Sequence, residues 1–293
     1  MATFISVDFD FLVPHGMHKE SIYLPKMKDS MPGVFVYDWQ MAEGRMPALD
    51  QIVWEGRVRN FTHWGLDLKE LTKLTPDPLD FITNLSCSIG GAMVPTWYAD
   101  SHAWAAVICR DLCQEFGPLD VVNFDAHHDL GYDYENYAEI DDEHTACDTW
   151  ALAGLQRGWI SSYTLVYPDW LDGHEISPNR WKLLKPVHDR ITVTTWAEFL
   201  TRDEIDDAEA AFFCRSSSWV PPWLDEGFQK LHEEWGDAEC LDCRYVQMCS
   251  PHDACEPRAW DWDAYARMER KRIAGMRELE RLHKMNFRLN QAG

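Results

Sequence analysis

Short runs of apolar residues alternate with longer segments of helical periodicity along most of this chain. Apolar runs bounded by turn-forming residues are typical of buried strands, whereas apolar residues at every third or fourth position are typical of helices. This alternation predicts an α/β fold in which helices cover a mostly parallel sheet. The predicted strands are residues 3–7, 33–37, 121–124, 163–167, 191–194 and 211–215, and the predicted helices are residues 46–57, 103–116, 149–157, 195–200 and 223–235.

The C-terminal segment departs from this pattern. From Glu256 onward nine basic residues stand against six acidic ones, so the segment carries a net charge of +3 in a chain whose net charge is −22. We therefore expect an α/β domain over residues 1–236 and an appendage over residues 237–293 that ends in a long amphipathic helix. This helix either packs on the body of the protein or joins two copies in a homo-oligomer. Its apolar stripe is Ile273, Met276, Leu279 and Leu282, at nearly helical spacing.

Composition narrows the class of protein. The chain has no run of 18 apolar residues, and its first residues lack the basic start of a signal peptide. Nine cysteines, an odd number scattered along the chain, favour reduced thiols over a disulfide framework. The excess of acidic residues disfavours nucleic acids and anionic membranes as partners and favours cationic substrates. These features predict a cytoplasmic protein.

Two acidic motifs follow predicted strands. Asp125, His127 and Asp129 alternate directly after the apolar run 119–124, and Asp8 and Asp10 alternate after the first strand. Alternate side chains of an extended segment point to the same side, so each motif is expected to aim its polar groups into one cavity. Carboxylates and imidazoles are ligands that suit divalent transition metals.

His102 is a sixth candidate ligand. It lies 23 residues before Asp125, just ahead of a predicted helix, and this distance fits one helix, a turn and a strand. Two-metal sites need bridging carboxylates and terminal imidazoles around ions about 3.5–4 Å apart. The six side chains therefore predict a binuclear centre. The alternative is that His127 is a hydrogen-bonded core histidine and that Asp8 and Asp10 cap turns.

These motifs resemble those of the ureohydrolase superfamily, which includes arginase, agmatinase and, more distantly, histone-deacetylase-like enzymes. The likeness is greatest to the branch that contains peptide arginases, which convert arginine side chains of peptides to ornithine. In arginases the Asp-x-Asp motif follows the Asp-x-His-x-Asp motif, whereas here it comes first, as in a circular permutation. The matching segments are Asp125 to Asp129 and Asp8 to Asp10. Asp100-Ser101-His102 matches an upstream Asp-His motif loosely, because the family usually has the two residues adjacent, and Asp148-Thr149-Trp150 is reminiscent of the peptide-arginase branch.

The resemblance implies a three-layer arginase/deacetylase-like sandwich that hydrolyses the guanidinium group of arginine to ornithine and urea. The arginine would belong to a peptide or another derivatised molecule. Asp129 would orient a hydroxide and accept its proton, and His144 would shuttle a proton, unless it is a solvated loop histidine. The implied cofactor is a pair of Mn²⁺ ions held by Asp8, Asp10, His102, Asp125, His127 and Asp129.

Further candidates concern substrate and cofactors. Glu143 and Asp133 are candidates for binding the guanidinium group, and Arg215 for holding a substrate carboxylate or backbone, unless it belongs to a capped turn. Two rival functions remain, an amide or deacetylase-type metallohydrolase and a non-catalytic, metal-stabilised binding protein. A small zinc or iron–sulfur site is an alternative to simple thiols at Cys240, Cys243, Cys249 and Cys255.

Overall fold

A computed structural model of the protein describes residues 2–14, 47–63, 65, 67–89, 94–131, 145–171, 176–201, 205, 208–216, 219–236, 239–240 and 260–291. The chain forms two compact units, Met1–Arg258 and Ala259–Gly293. The predicted strand at residues 33–37 lies outside the described residues.

The first unit is built on a parallel sheet, as the sequence predicts. Every neighbouring pair of strands in the described part of the chain runs parallel, in the order β5-β4-β3-β1-β6-β2-β7. Two of these strands, β2 and β7, were not predicted. The strands are β1 (Thr3–Asp8), β2 (Thr96–Ala99), β3 (Leu119–Phe124), β4 (Ile160–Tyr167), β5 (Ile191–Thr195), β6 (Ala208–Cys214) and β7 (Glu239–Cys240).

The helices of the described residues largely follow the predicted segments. The exceptions are the helices Leu68–Leu71, Pro78–Ser88 and Pro178–Leu183, none of which was predicted. The start of the second was recognisable, because the Asp77 carboxylate accepts a hydrogen bond from Leu79 N at 2.9 Å and Pro78 opens the first turn. The helices are α1 (Pro47–His63), α2 (Leu68–Leu71), α3 (Pro78–Ser88), α4 (Trp104–Phe116), α5 (Trp150–Arg157), α6 (Pro178–Leu183), α7 (Trp196–Phe199), α8 (Asp225–Trp235) and α9 (Trp262–Gln291). Three short 3-10 turns cover Phe9–Leu12, His188–Arg190 and Pro222–Leu224.

Helices cover both faces of the sheet. In β1, Phe4 lies in one buried cluster, with apolar residues of α4 and α5, while Ile5 and Val7 lie in the other, with residues of α3 and α8. All six residues of β1 are buried. A strand covered on both faces is expected to be almost continuously apolar, which explains why β1 was predictable from the sequence. The arrangement is consistent with a three-layer sandwich.

The position of β1 decides where a ligand can bind. β1 pairs with β3 on one side, with Val7 opposite Phe124, and with β6 on the other, with Asp8 opposite Cys214. The chain continues from β3 through β4 to β5 on one side of β1, while β6 and β2 lie on its other side. Ligands of open parallel sheets bind beyond the carboxyl ends of the strands at such a switch point.

The second unit contains α9. Asp261 caps its start, because the Asp261 carboxylate accepts hydrogen bonds from Asp263 N and Ala264 N at 2.8 and 2.9 Å. Ile273, Met276 and Leu279 of this helix are exposed. Among the described residues, no helix is both long and apolar enough to cross a membrane.

The packing of α5 on β4 predicts a sensitive glycine. A Cβ atom added at Gly154 would lie 2.5 Å from Cδ1 and 2.7 Å from Cγ1 of Ile160, a fully buried residue. We expect Gly154→Ala to lower the free energy of unfolding by about 1–3 kcal/mol in urea titrations, because the core must shift to admit it. Gly56→Ala is the matched control, since Gly56 is also helical and has no heavy atom within 4 Å of a built Cβ. Equal effects of the two substitutions would contradict this account of the packing.

Candidate metal centre

The loop after β1 places two carboxylates at the carboxyl edge of the sheet. β1 ends at Asp8, and Asp10 lies in the 3-10 turn that follows. The Asp8 side chain caps this turn by accepting a hydrogen bond from Asp10 N at 3.0 Å. Both carboxylates are buried beside the end of β3. The expected approach of Asp8 and Asp10 to the central motif is therefore confirmed.

The central motif converges in a different way from the one predicted. β3 ends at Phe124, so the residues from Asp125 to Asp129 form a turn and not an extended strand. Asp125 Oδ1 accepts a hydrogen bond from His127 N at 2.7 Å, and Asp129 adopts a left-handed backbone with φ of 51°. The three side chains reach one pocket because the backbone bends at Ala126 and His127 and has a positive φ at Asp129, and not because they alternate along a strand.

A buried arginine holds the far end of this turn. The guanidinium Nη2 of Arg180 donates to the carbonyl oxygen of Leu130. Gly131 has a φ of +76°, and a Cβ atom built there would lie 2.6 Å from the same Nη2. A side chain at this position would be strained and would also displace Arg180, so the turn needs glycine here.

One group of ligand atoms surrounds His102. His102 Nδ1 lies 3.2 Å from Asp8 Oδ2, 3.2 Å from Asp125 Oδ2 and 2.9 Å from Asp129 Oδ2. The histidine comes from the loop between β2 and α4, and the three carboxylates come from the ends of β1 and β3. We call this group the His102 cluster.

A second group surrounds His127. His127 Nδ1 lies 2.7 Å from Asp10 Oδ2 and 3.7 Å from Asp125 Oδ1. We call this group the His127 cluster. Asp125 therefore contributes one oxygen to each cluster, and the two triads of possible ligand atoms share its carboxylate. A carboxylate held between two groups of ligands is the arrangement that a bridged pair of ions requires.

The donor atoms fit divalent ions. Bonds of about 2.0–2.2 Å from a metal to oxygen and nitrogen place neighbouring ligand atoms about 3 Å apart, close to the spacing around His102. Within the described residues, His102 Nδ1 and Asp10 Oδ2 make no hydrogen bond of acceptable geometry although both are buried. Buried polar atoms without a hydrogen bond, lying among other ligand atoms, fit a role in holding a metal ion.

Electrostatics also favour a cation in the pocket. Burial and the nearby charge of Asp8 raise the pKa of Asp10 well above its usual value, and burial and Asp125 do the same to the pKa of Asp129. Burial lowers the pKa of His102, but the surrounding carboxylates, led by Asp129, outweigh it and leave that pKa well above its usual value. Without a metal the pocket therefore retains protons, and metal binding is expected to release them.

Three further side chains support the ligands from outside. The Ser6 hydroxyl lies 2.7 Å from His102 Nε2, the nitrogen on the far side of the ring from the carboxylates. Trp150 Nε1 donates to Asp129 Oδ2 at 2.6 Å. Asn123 Nδ2 donates to Asp125 Oδ2 at 3.1 Å. Partners of this kind orient metal ligands and fix the tautomer of a bound histidine. None of them was predicted, although Ser6 and Asn123 stand out as polar residues in buried strands.

His127 marks the accessible side of the pocket. Its side chain is 11% exposed, more than that of any other of the six predicted ligands. Its ring packs against Trp219, with 4.5 Å between the ring centroids. An indole beside a partly exposed ligand offers a flat aromatic surface at this side of the pocket.

Most of the other predicted site residues are not among the residues that the structure describes. Glu143, Asp133 and His144 are outside the described residues, and so are Cys243, Cys249 and Cys255. Cys240 is described only as part of the backbone of β7. Arg215 lies at the carboxyl edge, but its side chain is 5% exposed and contacts the carboxylates of Asp100 and Asp225. These surroundings indicate a structural contact, and the predicted contact with substrate stays a prediction.

In comparisons with known proteins, no family model, no curated protein and no solved structure matches this chain.

The shared carboxylate of Asp125 generates a first prediction. We expect the wild-type protein to bind two Mn²⁺ ions. Asp125→Asn should lower the affinity for both ions by more than about 10–100-fold, the effect of losing a residue that only supports a ligand. Isothermal titration calorimetry and metal analysis after gel filtration measure both quantities. Asp120→Asn, at the opposite end of the same strand, is the control and should keep two ions. Unchanged stoichiometry and affinity in Asp125→Asn would remove the bridging role.

The contact between Ser6 and His102 generates a second prediction. Ser6→Ala removes a hydroxyl from a fully buried strand position with little change of shape. We expect Mn²⁺ affinity to fall about 10–100-fold because the imidazole loses the group that orients it. Ser161→Ala, which removes a strand hydroxyl bonded to Leu119 O at 2.8 Å, is the control and should bind metal normally. Equal affinities in the two variants would show that Ser6 does not orient His102.

Proposed function

We propose that this protein is a binuclear, Mn²⁺-dependent hydrolase that cleaves C–N bonds of amidines. Its substrate is the guanidinium group of an arginine in a peptide or another derivatised molecule, and its products are ornithine and urea. The parallel sheet with helices on both faces agrees with an arginase/deacetylase-like sandwich. The resemblance of the motifs to ureohydrolases is the second support.

One observation carries the proposal. Asp125 directs Oδ2 to the His102 cluster and Oδ1 to the His127 cluster, so a single carboxylate joins two sets of metal ligands. A pair of bound divalent ions supplies a hydroxide nucleophile near neutral pH by lowering the pKa of water. A single structural ion would need only one of the two clusters.

The charge of the site suits a cationic substrate. The four carboxylates of Asp8, Asp10, Asp125 and Asp129 carry −4, two divalent ions carry +4, and a hydroxide carries −1. A guanidinium cation approaches such a site without repulsion. The acidic surface of the whole chain, with its net charge of −22, acts in the same direction.

Asp129 is suited to manage protons at the site. Its carboxylate lies among the ligand atoms of the His102 cluster, with Oδ2 2.9 Å from His102 Nδ1. The indole of Trp150 holds Oδ2 and so fixes the orientation of the carboxylate. In the proposed reaction Asp129 orients the hydroxide, accepts its proton and returns a proton to the departing amine. His144 remains the candidate for carrying protons to and from the site, and Glu143 and Asp133 remain candidates for binding the guanidinium group.

Trp219 contributes a surface for the substrate in this proposal. Its indole packs against the most exposed ligand, His127, and lies where a substrate can reach the metals from solvent. Planar cations such as guanidinium stack on indole rings, at a gain of about 0.5–2 kcal/mol. A side chain that enters beside Trp219 would extend from a larger molecule outside the pocket, which agrees with a peptide substrate.

An amide or deacetylase-type metallohydrolase is the second candidate function. The donor set is compatible with it, because metal-activated hydroxide also attacks amide carbonyl groups. Two clusters joined by a carboxylate favour two ions over one, and this favours the guanidinium reaction.

The decisive experiment compares substrates on the Mn²⁺-loaded protein. Free arginine, agmatine, an arginine-containing peptide and an acetyl-lysine peptide are incubated separately, and urea, acetate and modified peptide are quantified. We expect urea and an ornithine-containing peptide. We also expect Asp129→Asn to lower kcat about 10²–10⁴-fold, as loss of a general base does. Asp120→Asn should retain the wild-type rate.

Each other outcome selects a rival. Acetate without urea would establish the amide hydrolase. Two bound ions with no turnover of any substrate would establish a metal-stabilised binding protein.

A further inference from the structure

A cluster of buried charges lies outside the metal pocket and plays no part in the proposed reaction. The guanidinium Nε of Arg215 contacts Asp100 Oδ1, and its Nη1 lies 3.3 Å from Asp225 Oδ2. The three side chains are 5%, 12% and 1% exposed, respectively. Burying such ions costs several kcal/mol each unless their geometry is well satisfied. The location of these three side chains suggests a role beyond stability.

The cluster ties together three elements of the sheet edge. Arg215 directly follows β6, and its backbone N donates to Ala99 O at the end of β2 at 2.8 Å. Asp100 directly follows β2, and its carbonyl oxygen accepts a contact from Cys214 Sγ at 3.5 Å. Asp225 begins α8. Asp100 is therefore held against β6 through both its backbone and its carboxylate.

Asp100 lies only two residues before His102. Two residues of chain span at most about 7 Å, so the position of Asp100 limits where His102 can lie. On the other side of His102 the chain enters α4 directly, and Ala105 N donates to His102 O at 3.0 Å. The backbone of His102 is thus fixed between the helix and the contact of Asp100 with Arg215, while Ser6 fixes its ring.

Hydrogen bonds between the turns after β1 and β3 position the His127 cluster. Ala126 N donates to Asp10 Oδ1 at 3.3 Å, and His127 N donates to Asp125 Oδ1 at 2.7 Å. These hydrogen bonds join the turn after β1 to the turn after β3. Both strands lie beside each other in the middle of the sheet, away from β2.

We propose that Arg215 is a positioning residue that sets the place of His102 through Asp100, and that it acts on the His102 cluster and not on the His127 cluster. The inference rests on the metal centre of the proposed function but on no substrate or reaction. An arginine is needed because its planar fork reaches two carboxylates in different directions at once. A lysine keeps the charge but offers a single ammonium group that cannot hold Asp100 and Asp225 in the same way.

The test measures metal binding in proteins that each retain one cluster. His127→Ala leaves the His102 cluster, and His102→Ala leaves the His127 cluster. Arg215→Lys and Asp100→Asn are introduced separately into each protein. The probes are Co²⁺, followed by its absorption spectrum, and Mn²⁺, followed by electron paramagnetic resonance of the free ion. No substrate is used.

We expect selective weakening. Arg215→Lys and Asp100→Asn should each raise the Kd by about 10–100-fold in the protein that keeps His102, as loss of a supporting contact does. In the protein that keeps His127 the Kd should stay within about twofold. The absorption spectrum of bound Co²⁺ should also change only where His102 is a ligand, since a displaced imidazole alters the ligand geometry.

Arg190→Lys is the matched control. Arg190 also binds two acceptors, Ile160 O at 3.2 Å and Leu155 O at 2.7 Å, but at the opposite end of the sheet. Arg190→Lys should lower the melting temperature and leave the Kd for metal unchanged in both single-cluster proteins. This result would separate a loss of stability from a loss of ligand position.

Two results would overturn the inference. If the substitutions weaken both clusters equally, Arg215 only stabilises the fold, and if they weaken neither, it does not position His102. Asp100→Asn decides the matter should Arg215→Lys fail to fold, because asparagine keeps the shape and one oxygen acceptor. A protein that forms urea but lacks this selectivity would refute the inference alone, whereas one with this selectivity and no urea would refute only the proposed reaction.

Discussion

Repulsion among four buried carboxylates is the main constraint on the residues at the carboxyl edge of the sheet. Asp8, Asp10, Asp125 and Asp129 lie in a pocket that is almost closed to solvent, where like charges interact far more strongly than in water. Their mutual approach is tolerable only when positive charge lies among them, whether as protons on the carboxylates and imidazoles or as metal ions. The need for positive charge among the carboxylates explains why two histidines lie in the pocket. The order of the strands and the supporting hydrogen bonds hold these groups together.

The central part of the fold was accessible from the sequence because its strands are buried on both faces. The apolar runs that became β1, β3 and β4 need no alternation to be recognised. β2 was missed because it contributes only Thr96–Ala99, a stretch too short to separate from its surroundings by pattern alone. This omission matters because Asp100 and His102 follow β2 directly, so the strand determines where both residues lie at the edge of the sheet.

The six candidate ligands were found for reasons that were only partly right. Their residue types and their positions after apolar runs were informative, and β1 does lie beside β3. Their convergence, however, depends on a bent backbone after β3 and on the positive φ of Asp129, which no periodicity could indicate. The supporting contacts required three-dimensional information, because their partners are distant in sequence. Ser6 and His102 are separated by 96 positions, and Asp129 and Trp150 by 21.

The central place of β1 has a consequence for how the protein is made. Its two neighbours in the sheet, β3 and β6, end at Phe124 and Cys214, so β1 is synthesised well before either strand that pairs with it. Closing such long loops is slow, and the early chain exposes apolar surface while it does so. The edge of β1 that pairs with β6 stays open until residues 208–214 have been made. An open, apolar strand edge of this kind is a site of aggregation for as long as synthesis leaves it without its partner.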